Sequence, residues 1–171
     1  MLNRVFIDET ISDEDNISSI LILAQSICDD VFAQTHDSQS SIYKYDYSKP
    51  AEELGLDEEL IVHLIEDYIS QIFKTYKNFY LIIDRILDSA GLAKEKALKD
   101  LNNLAHKNLG VARNLRIYDA QILLSELMTN REDFKYLKEC TEALVACAYK
   151  LNPEYGYHIL KLNKLKTDLV N

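Results

Sequence analysis

One helical stretch carries the side chains best suited to chemistry. His106 lies four residues before Gly110, inside residues 101–115, whose remaining residues have helical spacing. An exposed imidazole is a nucleophile near neutral pH and can carry a transferred group. Inside a helix, glycine lowers stability by about 1 kcal/mol relative to alanine. The presence of a glycine one turn from the histidine therefore needs an explanation. Its small size would leave the imidazole open to another protein or to a bulky modification.

A helical wheel separates this stretch into two faces. The apolar face predicts contact with a core, and the other face carries His106 away from it. Cations one or two turns from the histidine could stabilise a phosphoryl group on the imidazole. A surface histidine without a function is the alternative, and it is the commoner case for a lone helical histidine. The polar face contains Lys99, Asn102, Asn103, His106, Leu109, Gly110 and Arg113.

Residues 105–115 resemble the phosphorylation helix of histidine phosphotransfer (HPt) domains. That pattern runs alanine, histidine, any residue, leucine, lysine, glycine, then small residues ending in asparagine-leucine, and His106, Gly110 and the final Asn114-Leu115 match it in register. Residues 54–68 are similar to the family's first bundle helix, and the resemblance covers about residues 45–151. Two positions differ, because Asn108 replaces the family leucine and Leu109 replaces the family lysine.

The resemblance implies a phosphocarrier without its own ATP site. HPt domains accept a phosphoryl group from the aspartate of a receiver domain and pass it to another receiver. His106 would be the phospho-acceptor, and Gly110 would allow close approach of a response-regulator receiver or a hybrid histidine kinase. No cofactor is implied, and no glycine-rich phosphate loop occurs in the chain. The neighbours of the phosphoryl group would be Lys107, Leu109 and Arg113, with Lys99, Asn102 and Asn103 nearby.

The residues are also compatible with a second function. Asn108 and Leu109 depart from the family pattern, which favours a degenerate HPt domain that binds a receiver or kinase without transfer. On this alternative Leu109 would enlarge a docking patch on the polar face, since it brings an apolar side chain where the family has an ammonium. Receiver binding would then survive loss of His106.

The elements that must position this helix are all helical. Apolar spacing predicts helices at 13–34, with Ser12 as N-cap, at 92–115, at 118–128 and at 132–151. Asp57 is a candidate N-cap for another stripe that runs to Leu87, as one helix or two, and Gly91 is expected to end it. Asn152-Pro153 either stops the last helix or begins a new one.

These elements predict an all-α protein built as an up-and-down four-helix bundle. Residues 45–151 would form the HPt-like bundle. Residues 1–44 would be an acidic helical extension and linker, and residues 152–171 a C-terminal segment with helical spacing. The terminal helices could also mediate a homodimer.

Composition restricts the partners and the compartment. The chain has 171 residues and a formal net charge of −9, which disfavours binding to a phosphate backbone. No apolar run approaches the ~18 residues of a membrane span, and no basic start precedes an apolar segment as in a signal peptide. The three cysteines form no Cys-x-x-Cys pair, so free, mostly buried thiols are expected. These features predict a cytoplasmic protein that binds neither nucleic acid nor membrane.

Two other groups of residues have competing interpretations. His63 lies between Glu59 and Glu66, but the Glu-x-x-His motif of a bundle di-iron site is absent, so a solvated face is expected and no metal site. Three tyrosines alternate before the bundle. They could bind a partner, but packing of the linker onto the helices is the favoured interpretation. They are Tyr43, Tyr45 and Tyr47.

Overall fold

The computed structural model describes residues 7–35, 45–129 and 133–168, with side chains described up to Lys164. Within these residues every regular element is a helix and no strand occurs, so the predicted all-α class is confirmed. The helices are α1 (Asp13–Phe32), α2 (Ser48–Leu54), α3 (Glu58–Asp88), α4 (Gly91–Asn114), α5 (Tyr118–Thr129), α6 (Phe134–Leu151) and α7 (Pro153–Asp168).

Side-chain caps set the helix starts. The Ser12 hydroxyl accepts a hydrogen bond from the Asp15 amide at 3.1 Å, and the Asp57 carboxylate accepts one from the Leu60 amide at 2.7 Å. Both predicted caps are therefore confirmed. Asn152 likewise accepts from the Tyr155 amide at 3.1 Å, with Pro153 as the first residue of α7. Of the two alternatives for Asn152-Pro153, the new helix is correct.

The stripe after Asp57 forms one helix of 31 residues. Neither proline nor glycine interrupts it, so a single core-facing side runs along its whole length. Gly91 does not end this helix as expected. The helix ends at Asp88, and Gly91 begins α4 with a φ of +56°, a left-handed conformation that glycine adopts at low cost.

Four helices enclose most of the core. Helix α3 contacts α4, α4 contacts α5, α5 contacts α6, and α6 contacts α3. The connections between successive helices in this set are short, which favours antiparallel neighbours. Their fully buried side chains include Ile65, Ile69, Phe79, Ala105, Leu123, Leu124, Leu144 and Cys140.

Helices α1 and α7 pack on the same core. Ile20, Ala24 and Cys28 of α1 are buried against α6. Helix α7 contacts α6, α3 and α1, and Asp13 joins the two terminal helices by accepting hydrogen bonds from Tyr157 at 2.8 Å and Lys161 at 3.0 Å. The acidic N-terminal helix is therefore part of the packed molecule.

Gly156 has a packing role that the sequence did not suggest. Gly156 is buried inside α7 against α6. A Cβ at this position would come within 2.7 Å of Tyr149 Cδ2. The absent side chain therefore permits close approach of the two helices.

The segment before α3 is packed onto the helices. Tyr45 donates a hydrogen bond to the Leu115 carbonyl at 2.6 Å, and Tyr47 donates one to the Leu151 carbonyl at 2.7 Å. Their rings meet edge to face with centroids 4.8 Å apart. The packing interpretation is confirmed for these two tyrosines, while Tyr43 and residues 36–44 as a whole lie outside the described part. Helix α2, which was not predicted, follows directly.

The three cysteines are free and buried, as predicted. Cys140 lies on the core side of α6, and the Cys28 and Cys147 sulfurs, from α1 and α6, are 3.5 Å apart. In the part of the chain that the structure describes, no helix combines the length and the apolar character that crossing a bilayer requires.

Candidate functional site

Helix α4 presents the candidate site on its outer side. It buries Ala97, Leu101 and Ala105 against the other helices, and His106 follows on the opposite, exposed side. This placement follows from helical periodicity, since 100° separates successive side chains. Of the other predicted neighbours on that side, Asn102 is half-buried and Leu109 is buried. The exposed ones are Lys99, Asn103, Lys107, Gly110 and Arg113.

The side chains of this face are available to an incoming group. Among the described residues, those of His106, Lys99, Lys107 and Arg113 form no hydrogen bond or ion pair. A Cβ added at Gly110 would meet no neighbouring atom within 4 Å. The fold therefore leaves space above Gly110 and does not need the glycine for internal packing.

Leu109 does not lie on the exposed face that the helical wheel predicted. The sequence placed it on the polar face as part of a docking patch, but its side chain is only 3% exposed. Leu109 lies one turn after buried Ala105, at the border of the core-facing side of α4, and it belongs to the buried core. The prediction of an exposed Leu109 is wrong, because a neighbouring helix covers a border position that the sequence leaves ambiguous. Leu109 cannot offer its side chain to a partner in this conformation.

Asn108 is fully buried, as its wheel position predicted, and it is satisfied. Its amide nitrogen donates to the Leu104 carbonyl at 2.8 Å, and its oxygen accepts from the Gln71 amide at 2.8 Å. A buried amide without partners would cost about 1–3 kcal/mol. Gln71, on α3, therefore compensates for an amide at the position of the family leucine. Sequence reasoning missed Gln71, because nothing in one chain pairs a residue of α3 with one of α4.

Helix α4 is locally basic in an acidic protein. It carries five basic side chains and two acidic ones, whereas the chain has a net charge of −9. One of the acids, Asp100, faces Arg85 of α3 at 3.7 Å. Clustered cations raise the local concentration of an anionic group and favour its approach. The basic residues are Lys94, Lys96, Lys99, Lys107 and Arg113.

The alternative histidine site at α3 has the arrangement of a solvated face. His63 Nδ1 lies 3.5 Å from Glu66 Oε2, and the His63 side chain is 65% exposed. Over residues 7–35, 45–129 and 133–164, no three histidine, cysteine or acidic side chains come close enough to hold a metal ion.

Comparison with family models, with curated proteins and with solved structures gives no match for this chain.

Proposed function

We propose that this protein is a histidine phosphocarrier of a two-component phosphorelay, with His106 as the phosphoryl acceptor and donor. The observation that carries the proposal is the exposed His106 one turn from a glycine that the fold does not need, on the most basic of the described helices. A carrier of this kind works in the cytoplasm, needs no ATP site, and takes its phosphoryl group from a receiver-domain aspartate.

The proposal includes an HPt-like bundle. Helices α3, α4, α5 and α6 would form the up-and-down four-helix bundle, with α1 and α7 packed beside it. The cyclic contacts among these four helices and their short connections support this arrangement. An acceptor histidine in the middle of α4 would then project from a rigid element, which holds its position more reliably than a loop would.

The transfer step needs only one bond to form and one to break. An unprotonated imidazole nitrogen of His106 attacks phosphorus, and the P–O bond to the receiver carboxylate breaks. The carboxylate leaves with the electron pair, and the other imidazole nitrogen keeps its proton until after transfer. Lys107 and Arg113 lie beside His106 on the same helix and could pair with the phosphoryl oxygens. They would replace the ammonium that Leu109 does not supply.

A phosphotransfer assay with matched histidine variants tests the proposal. A receiver domain from the same organism is phosphorylated on its aspartate and mixed with wild type, His106→Gln or His63→Gln. Acid-labile, alkali-stable phosphate is expected on wild type and on His63→Gln, and not on His106→Gln. His63 is a suitable control, since it is also an exposed helical histidine. Equal labelling of His106→Gln would refute the assignment.

The second candidate is a degenerate HPt domain that binds a receiver or kinase without transfer. The observation that favours it is Leu109, an apolar and buried side chain where the family has a phosphate-pairing lysine. This candidate predicts receiver binding that survives His106→Ala, is lost in Gly110→Arg, and is never accompanied by labelling of the wild type. Unchanged binding in Gly110→Arg would count against this docking face.

A homodimer through the terminal helices stays a prediction. Helices α1 and α7 already pack within their own chain, although Ile22 and Leu162 remain exposed at 73% and 52%. Sedimentation at high protein concentration tests this prediction, and a monomer would remove it.

A further inference from the structure

A cavity of about 420 Å³ opens between α1, α5 and α6, away from the histidine face. Its volume lies within the roughly 300–1,000 Å³ that small-molecule sites occupy. Leu21 and Ile22 line it and are exposed, so the cavity reaches the surface. No residue of α4 lines it, so it is separate from the His106 site. The apolar lining includes Leu21, Ile22, Ile117 and Leu151.

One polar side chain in this lining, that of Asp119, is buried with too few hydrogen-bond partners. Asp119, in the first turn of α5, is 5% exposed, and its Oδ1 has no hydrogen-bond partner among the described residues. Among the described residues, Oδ2 has only the Cys147 thiol as a hydrogen-bond partner, with the sulfur 4.0 Å away. A buried carboxylate without a donor costs stability, so a ligand in the cavity that donates to this carboxylate would stabilise the protein.

The same cavity contains an opposite charge. Lys150, in the last turn of α6, lines it and is half-buried. Burial raises the pKa of Asp119 to about 6, while the nearby Lys150 ammonium acts in the opposite direction. The lysine is therefore close enough to influence the carboxylate, but it does not occupy Oδ1. An acid, a base and an apolar wall thus surround one open volume.

We propose that this cavity binds a small apolar α-amino acid. The ligand ammonium would donate to Asp119, the ligand carboxylate would pair with Lys150, and the apolar side chain would contact Leu21, Ile117 and Leu151. Such a ligand satisfies both charged groups at once, whereas an amine alone would place a second cation beside Lys150, and a carboxylate alone would place a second anion beside Asp119. A neutral apolar molecule would leave Asp119 without a donor.

Three molecules that share the isobutyl group of leucine test this proposal. They are leucine, isopentylamine, which is leucine without the carboxylate, and 4-methylpentanoate, which is leucine without the ammonium. Calorimetric titration of the full chain is expected to give saturable leucine binding with a Kd of about 1 mM or tighter. Each analogue is expected to bind about tenfold more weakly or worse, because one charge-assisted contact is lost. Equal binding of all three, or no leucine binding, would overturn the proposal.

Variants locate the binding and control for general effects of charge. Asp119→Asn and Lys150→Met are each expected to weaken leucine binding at least about tenfold. The surface ion pair of Asp84 and Lys138, 2.6 Å apart and outside the cavity lining, offers the matched controls Asp84→Asn and Lys138→Met. Leucine affinity should stay unchanged in both controls.

Further measurements ensure that the result does not depend on whether each variant folds. Circular dichroism confirms that each variant retains its helices, and the comparison of the three ligands on the wild type needs no variant. Amide resonances of Ile117 and Leu151 should shift on leucine addition, while those around His106 should not. Leucine-dependent shifts confined to the His106 face, or an affinity that neither Asp119→Asn nor Lys150→Met changes, would reject the cavity as the site.

Discussion

Gly110 and Gly156 both lie inside helices, but only Gly110 leaves room for a side chain. A Cβ at Gly110 meets nothing within 4 Å, while one at Gly156 comes within 2.7 Å of Tyr149 Cδ2. Neither glycine has the positive φ of Gly55 and Gly91. Alanine can therefore adopt both backbone conformations, and the two positions differ mainly in what surrounds them.

The two alanine variants are expected to change stability in opposite directions. Gly110→Ala should raise the free energy of unfolding by about 1 kcal/mol, because alanine loses less backbone entropy in a helix. The melting temperature should rise by about 3 °C. Gly156→Ala gains the same helix propensity but must displace the ring of fully buried Tyr149. Overpacking of a core costs about 1–3 kcal/mol, so a net loss of about 1 kcal/mol is expected.

Urea unfolding followed by far-ultraviolet circular dichroism measures both effects, since the chain is helical and has no tryptophan. A loss of stability in Gly110→Ala, or a gain in Gly156→Ala, would refute the packing argument. If Gly110→Ala is more stable and Gly110→Arg is folded but accepts no phosphate, the glycine serves docking at the expense of stability. If Gly110→Arg transfers as well as wild type, close approach at this position is not required.

Three further predictions concern buried polar groups. Asn108→Ala should lower the free energy of unfolding by about 2 kcal/mol, and combining it with Gln71→Ala should cost less than the sum of the two single changes; additive costs in urea unfolding would exclude their coupling. Burial raises the pKa of Asp119 from 3.8 to about 6. The stability that the protonated carboxyl group contributes is therefore fully present below about pH 4 and is lost as pH rises through 6. The free energy of unfolding of Asp119→Asn should therefore rise relative to that of wild type between pH 4 and 8, by at most about 3 kcal/mol in thermal or urea unfolding. A difference between the two proteins that does not change with pH would contradict this. Burial also raises the pKa of Cys140 to about 12, so iodoacetamide at pH 8 should modify it only after unfolding, and rapid labelling of the native protein in mass spectra would disagree.

The helices could be predicted because their apolar positions recur at helical spacing and their starts carry capping side chains. Asp57 and Ser12 are examples in which one residue sets a boundary. Helix α2 was missed, since it spans only seven residues and has no side-chain cap. A short segment gives too few turns for periodicity to be recognised.

Some properties of the candidate site can likewise be predicted from the sequence, and others cannot. Exposure of His106, Lys107 and Arg113 follows from their own helix, so the sequence predicts it. Burial of Leu109 depends on the helices packed against α4, because a border position is covered or open according to how its neighbours pack. The bond between Gln71 and Asn108 and the cavity around Asp119 join different helices, and one sequence contains no information on such pairs.

The contact of α1 with α6 has a consequence for synthesis. The Cys28 and Cys147 sulfurs, which touch across these helices, belong to residues 119 positions apart. On the ribosome α1 emerges long before α6 can cover it, so Ile20, Ala24 and Cys28 stay exposed while α2 to α5 are made. Exposed apolar surface of this kind attracts chaperones and favours aggregation. A nascent chain stalled before α6 should therefore bind holding chaperones, and release should follow once residues 134–151 have left the exit tunnel.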